Sequence, residues 1–326
     1  MSGGDDLFDD GACDAVSAAS AAPSKRRKRD EALEWKVTFD QTQGLRTLVE
    51  VVTNILTRVT FRLIHDAKRN MHFLCIDSID PQHVCMIQAR LICEKTEKIT
   101  EDVTFCVESS ILNLILKSIP SHYSIDLEKH TSSADVHINA YETLSNSHHT
   151  NFVLPTLVDE SETMKLSDMD YKYVIEIDLG MLRQIVKMSM QLRANQLDFT
   201  VRTPRGHGTS GVQRTTFTIG SRGDAMQAHN FHSATVKEYT PTKGETYVIR
   251  AATDSTAPDD STTEEHDVVY SDTFSAQYLN FFLKSMERQI ITMKLAKDQP
   301  LIVHYPLGAE KSYICFVLAP KTADAA

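Results

Sequence analysis

One segment of this chain occurs twice, and that duplication limits what the chain can fold into. Leu112-Asn113-Leu114-Ile115-Leu116-Lys117-Ser118-Ile119 returns 167 residues later as Leu279-Asn280-Phe281-Phe282-Leu283-Lys284-Ser285-Met286. Leu, Asn, Leu, Lys and Ser stand in identical places and apolar residues fill the others. Downstream, Ser124-Ile125-Asp126-Leu127 is echoed by Thr292-Met293-Lys294-Leu295, and Val136-His137 by Val303-His304. A second pair matches Gly44–Val52 with Met181–Met188. Its apolar positions, Leu45, Leu48, Val49 and Val52 against Leu182, Ile185 and Val186, have the three-and-four spacing of an amphipathic helix. Runs such as 72–76, 84–87, 171–177 and 313–318 are short, apolar or alternating, and read as strands. The pattern predicts an α+β fold of two similar domains, each with a strand-rich sheet backing two helices.

Residues 1–34 differ in kind. They are acidic, Ala/Ser-rich and poor in large apolar groups, so they bury too little surface to offset ordering and are expected to be disordered. The run Lys25, Arg26, Arg27, Lys28 and Arg29 reads as a nuclear-import or nucleic-acid patch, against the plainer reading of a solvated charge run. The expected division is a tail at 1–34, a first domain at 35–151, a connector at 152–170, a second domain at 171–321 and a short tail at 322–326. Pro155 and an acidic, hydroxyl-rich middle argue against a helix in the connector. Leu154, Leu157, Met164 and Leu166 are too apolar for a free linker, so it should lie along the surface, partly docked.

Charge and reactive groups narrow the function. The net charge is −10, from 34 basic and 44 acidic residues, so any nucleic-acid contact must come from a local basic surface. No apolar run of membrane-spanning length occurs, and neither a membrane span nor a secretory signal is expected. The six cysteines are scattered and none is paired at zinc-ligand spacing, so they read as buried or free thiols. Gly206–Gly211 is glycine-rich but lacks the lysine and following helix of a phosphate-binding loop, and reads as a turn. His148-His149 and His229 with His232 have no acid or cysteine at ligand spacing. The acidic segment Thr253–Asp267 is expected to be an exposed loop. No catalytic residues, metal or cofactor are expected, and the chain reads as a non-enzyme.

The C-terminal runs Tyr278-Leu279-Asn280-Phe281-Phe282, Pro300-Leu301-Ile302-Val303-His304-Tyr305 and Leu318-Ala319-Pro320-Lys321 resemble the end of eukaryotic-type sliding clamps, the proliferating-cell-nuclear-antigen family. Asp77-Ser78-Ile79-Asp80-Pro81-Gln82-His83-Val84 is similar to that family's loop of the form Met-Asp-Ser-Ser-His-Val. The resemblance runs from about Trp35 to Lys321. It implies a head-to-tail homotrimeric ring, helices lining the hole and sheets outside, that encircles duplex DNA and tethers DNA polymerase and other replication and repair proteins as a processivity factor. A clamp loader and a nuclear site, or a viral replication site in an infected cell, go with it.

Carried over by residue, the resemblance assigns DNA contact to Arg46, Lys117, Arg183, Lys187 and Lys284, with Arg193 and Arg288 as additions and Gln277 where a base is expected. Such contacts to phosphate attract without reading sequence. It implies a pocket for clamp-binding peptides lined by Ile79, His83, Val84, Met164, Leu166, Pro300, Val317, Leu318, Ala319 and Pro320. The subunit contact would pair Asn151, Phe152, Val153 and Leu154 of one copy with Thr215, Thr216, Phe217, Thr218 and Ile219 of the next. Val317 stands where the family often has an aromatic, and Arg202 where it uses a lysine for ubiquitin-type modification. Other readings are a subunit of a heterotrimeric checkpoint clamp, a monomeric viral-type processivity factor, and a nuclear adaptor that does not encircle DNA.

Overall fold

A computed structural model of the chain describes residues 32–142, 150–159, 171–204, 214–222, 227–237, 247–250, 266–284, 290–308 and 311–321. The Lys25–Arg29 run, Met164, Leu166, His148-His149, Gly206–Gly211, Arg288, the segment 253–265 and the last five residues lie outside the described residues.

The first half runs β1 (Leu33–Phe39), α1 (Thr42–Thr53), β2 (Arg58–Asp66), β3 (Met71–Ile79), β4 (Cys85–Cys93), β5 (Lys95–Glu97), β6 (Val103–Glu108), α2 (Ser109–Ser118), β7 (Tyr123–His130), β8 (Val136–Glu142) and β9 (Thr150–Leu154). The second runs β10 (Tyr173–Asp178), α3 (Leu179–Gln191), β11 (Gln196–Pro204), β12 (Arg214–Arg222), β13 (Gln227–Lys237), β14 (Tyr247–Arg250), β15 (His266–Ser275), α4 (Ala276–Leu283), β16 (Ile290–Leu295), β17 (Leu301–Pro306) and β18 (Tyr313–Leu318). Strand, helix, five strands, helix, three strands is the order in both, and the repeated segments occupy matching helices and strands.

The sheets repeat the same order. The first half forms a five-stranded sheet β5-β1-β7-β8-β9, and the second half forms a four-stranded sheet β13-β12-β11-β15. The remaining strands make one nine-stranded sheet, β14-β10-β16-β17-β18-β4-β3-β2-β6. Its first five strands are the second-half counterparts of the five-stranded sheet, and its last four are the first-half counterparts of the four-stranded one. The seam is β18 antiparallel to β4, six residue pairs from Tyr313↔Arg90 to Leu318↔Cys85. The copies differ at one edge, where β5 is antiparallel to β1 but β14 is parallel to β10.

Local sequence explains the elements. β8 and β10 alternate buried and part-exposed residues, as strands with one covered face must. The α3 N-terminus is capped by Asp178, whose Oδ1 accepts the Met181 N–H at 2.9 Å. α1 has no such side chain at Gln41. Instead the Glu94 carboxylate, from just past β4, accepts the backbone N–H groups of Asp40 and Gln41. The core lies between helices and sheets and includes Trp35 stacked on Phe105, and Phe282 of α4 stacked on Phe316 of β18 at 4.1 Å. After β9 the chain leaves at Pro155 and docks, with the Leu157 N–H donating to the Cys106 carbonyl of β6 at 2.8 Å.

Candidate interfaces: helix layer, apolar pocket and free strand edges

The helices form a layer in the order α2-α1-α4-α3, because α1 packs on α2 and touches α4, and α3 packs on α4. The predicted bases sit on it in unequal states. Arg46 is half-buried and donates to the carbonyls of Ile119 (2.7 Å) and Pro120 (2.8 Å), just past the end of α2. Arg183 repeats the device, its Nε donating to the Leu283 carbonyl of α4 at 2.9 Å. Both guanidinium groups therefore serve the negative ends of neighbouring helices. Lys117 is ion-paired with Glu50 of α1 at 3.2 Å. Lys187, Lys284 and Arg193 are exposed, and no ion pair among the described residues neutralises them. The free charge thus lies on the second-half helices. The outer face of α2 carries Leu114, 69% exposed, beside Lys117.

On the opposite side of the nine-stranded sheet lies a small apolar cluster separate from the main core. Met86, Ile302, Cys315 and Val317 form it, with Ile79, Tyr171 and Tyr313 packed around them. Register explains it, because Ile79 pairs with Met86, Met86 with Val317, and Val317 with Ile302. One row of side chains therefore crosses four strands and spans the seam between the halves. Of the predicted pocket residues, Ile79 and Val317 belong to this row. Val84 packs against the main core instead, and its carbonyl accepts the Ala319 N–H at 2.9 Å. Pro300 is half-buried, its carbonyl accepting the Tyr171 hydroxyl at 3.1 Å, and Pro320 is half-buried at the end of the chain's last docked turn. His83 is exposed at a positive φ of 58°.

Leu318 does not belong to the pocket. It is fully buried in the main core, because strand alternation sends Ile314, Phe316 and Leu318 inward and Cys315 and Val317 outward. Sequence reasoning missed Met86, Ile302, Cys315, Tyr171 and Tyr313. Only the register across β3, β4, β18 and β17 brings them together. Burial pushes the Cys315 thiol up to about 11, with Lys294 pulling the other way, so at neutral pH it is a buried apolar group and not a nucleophile.

The 80–84 loop is held by a buried carboxylate. Asp80, 3% exposed, accepts the backbone N–H groups of Val84 (2.8 Å) and Cys85 (2.5 Å) on Oδ1 and that of Gln82 (3.1 Å) on Oδ2. The Tyr278 hydroxyl of α4 donates to Oδ2 at 2.6 Å.

The strand edges correct one expectation. Residues 215–219 lie in β12, which is hydrogen-bonded to β11 on one side and β13 on the other. Phe217 and Ile219 are fully buried. Thr216, Phe217, Thr218 and Ile219 therefore cannot offer a main-chain edge, Thr215 is already paired with Val236 of β13, and the outer strands of that sheet are β13 and β15. The Asn151–Leu154 side is different. β9 pairs only with β8 among the described strands, and Val153 on it is 51% exposed.

The family model for the proliferating cell nuclear antigen, C-terminal domain, matches residues 242–321. Over that stretch, the chain is similar to the proliferating cell nuclear antigen family. The whole described fold agrees with the clamps of this family. The proliferating cell nuclear antigen of Entamoeba histolytica superposes with a TM-score of 0.64 at 14% identity, covering 89% of this chain and 100% of its own. That of Thermococcus kodakaraensis gives 0.62 at 14%, covering 88% and 100%. The PCNA2–PCNA3 complex of Sulfolobus tokodaii gives 0.62 at 13%, covering 88% and 99%. No curated protein matches the chain by sequence. At these identities the solved structures show the clamp fold alone.

Proposed function

We propose that this protein is a DNA sliding clamp, a ring of three copies joined head to tail that encircles duplex DNA and tethers a polymerase and other replication and repair proteins. The observation that carries the reading is the unfinished sheet. Within the chain, β18 closes on β4 and builds nine strands. The equivalent strands of the other copy of the unit, β9 and β13, are both outer strands, one at each end of the set. Pairing β9 of one chain with β13 of the next recreates the same nine-stranded sheet between molecules. Such a contact is heterologous, so it must either close into a ring or run on as a filament. The two domains of each copy are the stretches 35–151 and 171–321.

In the closed ring, the helix layers face the DNA. Lys187 and Lys284, with Arg193, attract phosphates, while Arg46 and Arg183 sit within the same layer with their forks on helix ends, and Lys117 beside Glu50 contributes little. A weak, sequence-blind attraction suits a clamp that must slide. The apolar row Ile79-Met86-Val317-Ile302 receives the anchors of partner peptides; Met164 and Leu166 are assigned to the same role by the family resemblance alone. The clamp acts without catalysis of its own, is opened by a loader, and works in the nucleus or at a viral replication site.

The test is topological. Clamp loaded on closed circular DNA is expected to stay bound at high salt and to be released when the circle is linearised. A chain that leaves both forms equally fast is an adaptor or a monomeric processivity factor.

A further inference from the structure

The chain links its helix layer to the loop that walls the apolar pocket through a single hydroxyl. Asp80 ends β3 and is nearly inaccessible, yet it is a carboxylate, so its burial requires several donors. Three come from the loop itself, the N–H groups of Gln82, Val84 and Cys85. The fourth is Tyr278, 198 residues away on α4, 2.6 Å from Oδ2. The Gln82 side-chain amide lies 3.0 Å from the same hydroxyl. The Tyr278 ring is half-buried and meets Phe281 edge-on at 6.1 Å. Burial first, then the hydrogen bond to Asp80, raises the phenol pKa, so the group stays a donor at any physiological pH.

The loop so held is not relaxed. His83 sits in the left-handed region, an arrangement that persists only where its surroundings enforce it. Asp80 enforces it from both ends. Its N–H donates to the Cys85 carbonyl at 2.8 Å, and its carbonyl accepts the His83 N–H at 2.9 Å. The next residue, Val84, receives the Ala319 N–H, which joins the loop to the end of β18. The path of the 80–84 loop into Cys85 and Met86 therefore depends on where Asp80 is fixed.

We propose that Tyr278 is a positioning residue for the pocket: its hydroxyl, through Asp80, holds the 80–84 loop in the shape that accepts the apolar anchors of a partner peptide. This rests on the pocket being the partner site proposed above. Tyr278 itself touches no partner, and removing the hydroxyl while keeping the ring should loosen the loop without opening the core.

Three chains decide it: the wild type, Tyr278→Phe, and Gln277→Ala on the same helix. Each is measured as the full-length protein for melting temperature, solution mass, and affinity for a synthetic peptide whose helical turn carries one aliphatic and two aromatic residues. Tyr278→Phe is expected to weaken the peptide about 5- to 10-fold, chiefly through faster dissociation, with mass unchanged and melting within about 2 °C of wild type. Gln277→Ala is expected to match wild type. Asp80→Asn, if it folds, should weaken the peptide too, and the double variant should be no weaker than the weaker single one. Tyr278→Phe with wild-type affinity overturns the proposal while leaving the pocket reading intact. A peptide that fails to bind the wild-type chain overturns the pocket reading and the positioning role together.

Discussion

Residues of the same type do unequal work in this chain, and the difference lies in what each side chain already touches. Lys117 has Glu50 at 3.2 Å, whereas Lys187 and Lys284 face solvent without an ionic partner among the described residues. Removing one phosphate-binding cation should flatten the dependence of DNA affinity on salt by roughly one unit in the log–log slope. The double variant Lys187→Ala/Lys284→Ala is thus expected to lower the slope by about two per ring subunit engaged, and Lys117→Ala by much less, in a salt titration of DNA binding. His304, beside the pocket on β17, carries a pH prediction. Burial first, then Lys294, lowers its pKa below the ordinary 6.5. The unfolded chain then binds the proton more readily than the folded one, so the associated stability is present above about pH 6.5 and is lost as pH falls toward the folded value. Thermal melts from pH 7.5 to 5.5 should show a falling midpoint, and His304→Gln should flatten that fall. Of the residues the resemblance assigned to a partner site, Ile79 and Val317 fall in the apolar row. Leu318 was misplaced because adjacent strand residues point to opposite faces, and the motif alone does not say which face is which.

At the scale of elements, the duplicated helix was the clearest thing in the sequence because eight consecutive positions carried its amphipathic pattern. All four helices stand where the spacing put them, within a few residues at each end. Strand neighbours were less legible. The segment 215–219 and the strand after it, β13, both mix polar and apolar residues, and nothing in residue type says that one is flanked on both sides and the other is outermost. Only the hydrogen-bond register settles that, and it moves the expected edge from β12 to β13. The exposed Val153 on β9 follows from the same logic: a large apolar side chain on an outer strand is a liability unless another strand covers it. Proline cannot donate to a ladder and is tolerated badly where two strands meet. Val153→Pro is therefore expected to leave a folded chain, with near-native far-UV circular dichroism, that no longer associates. Association retained in that variant would place the contact elsewhere.

Among its described residues the molecule is two copies of one unit in which one of two equivalent sheet junctions is made internally and the other is open. In the proposed ring, that arrangement, more than the net charge of −10, would explain how an acidic protein holds DNA. Enclosure supplies the persistence that a basic surface would otherwise have to provide, and a few unpaired lysines on the helix layer suffice for attraction. The proposed partner site and the proposed ring contact are separate, because the apolar row crosses the seam β18–β4 while β9 and β13 are outer strands among the described residues. The measurement that bears most directly on this account is the mass of the purified chain by light scattering over a dilution series. The account predicts a mass near three times the 36.6 kDa of one chain, falling to that of one chain in Val153→Pro. A wild-type chain that remains at the mass of one copy at every concentration contradicts it.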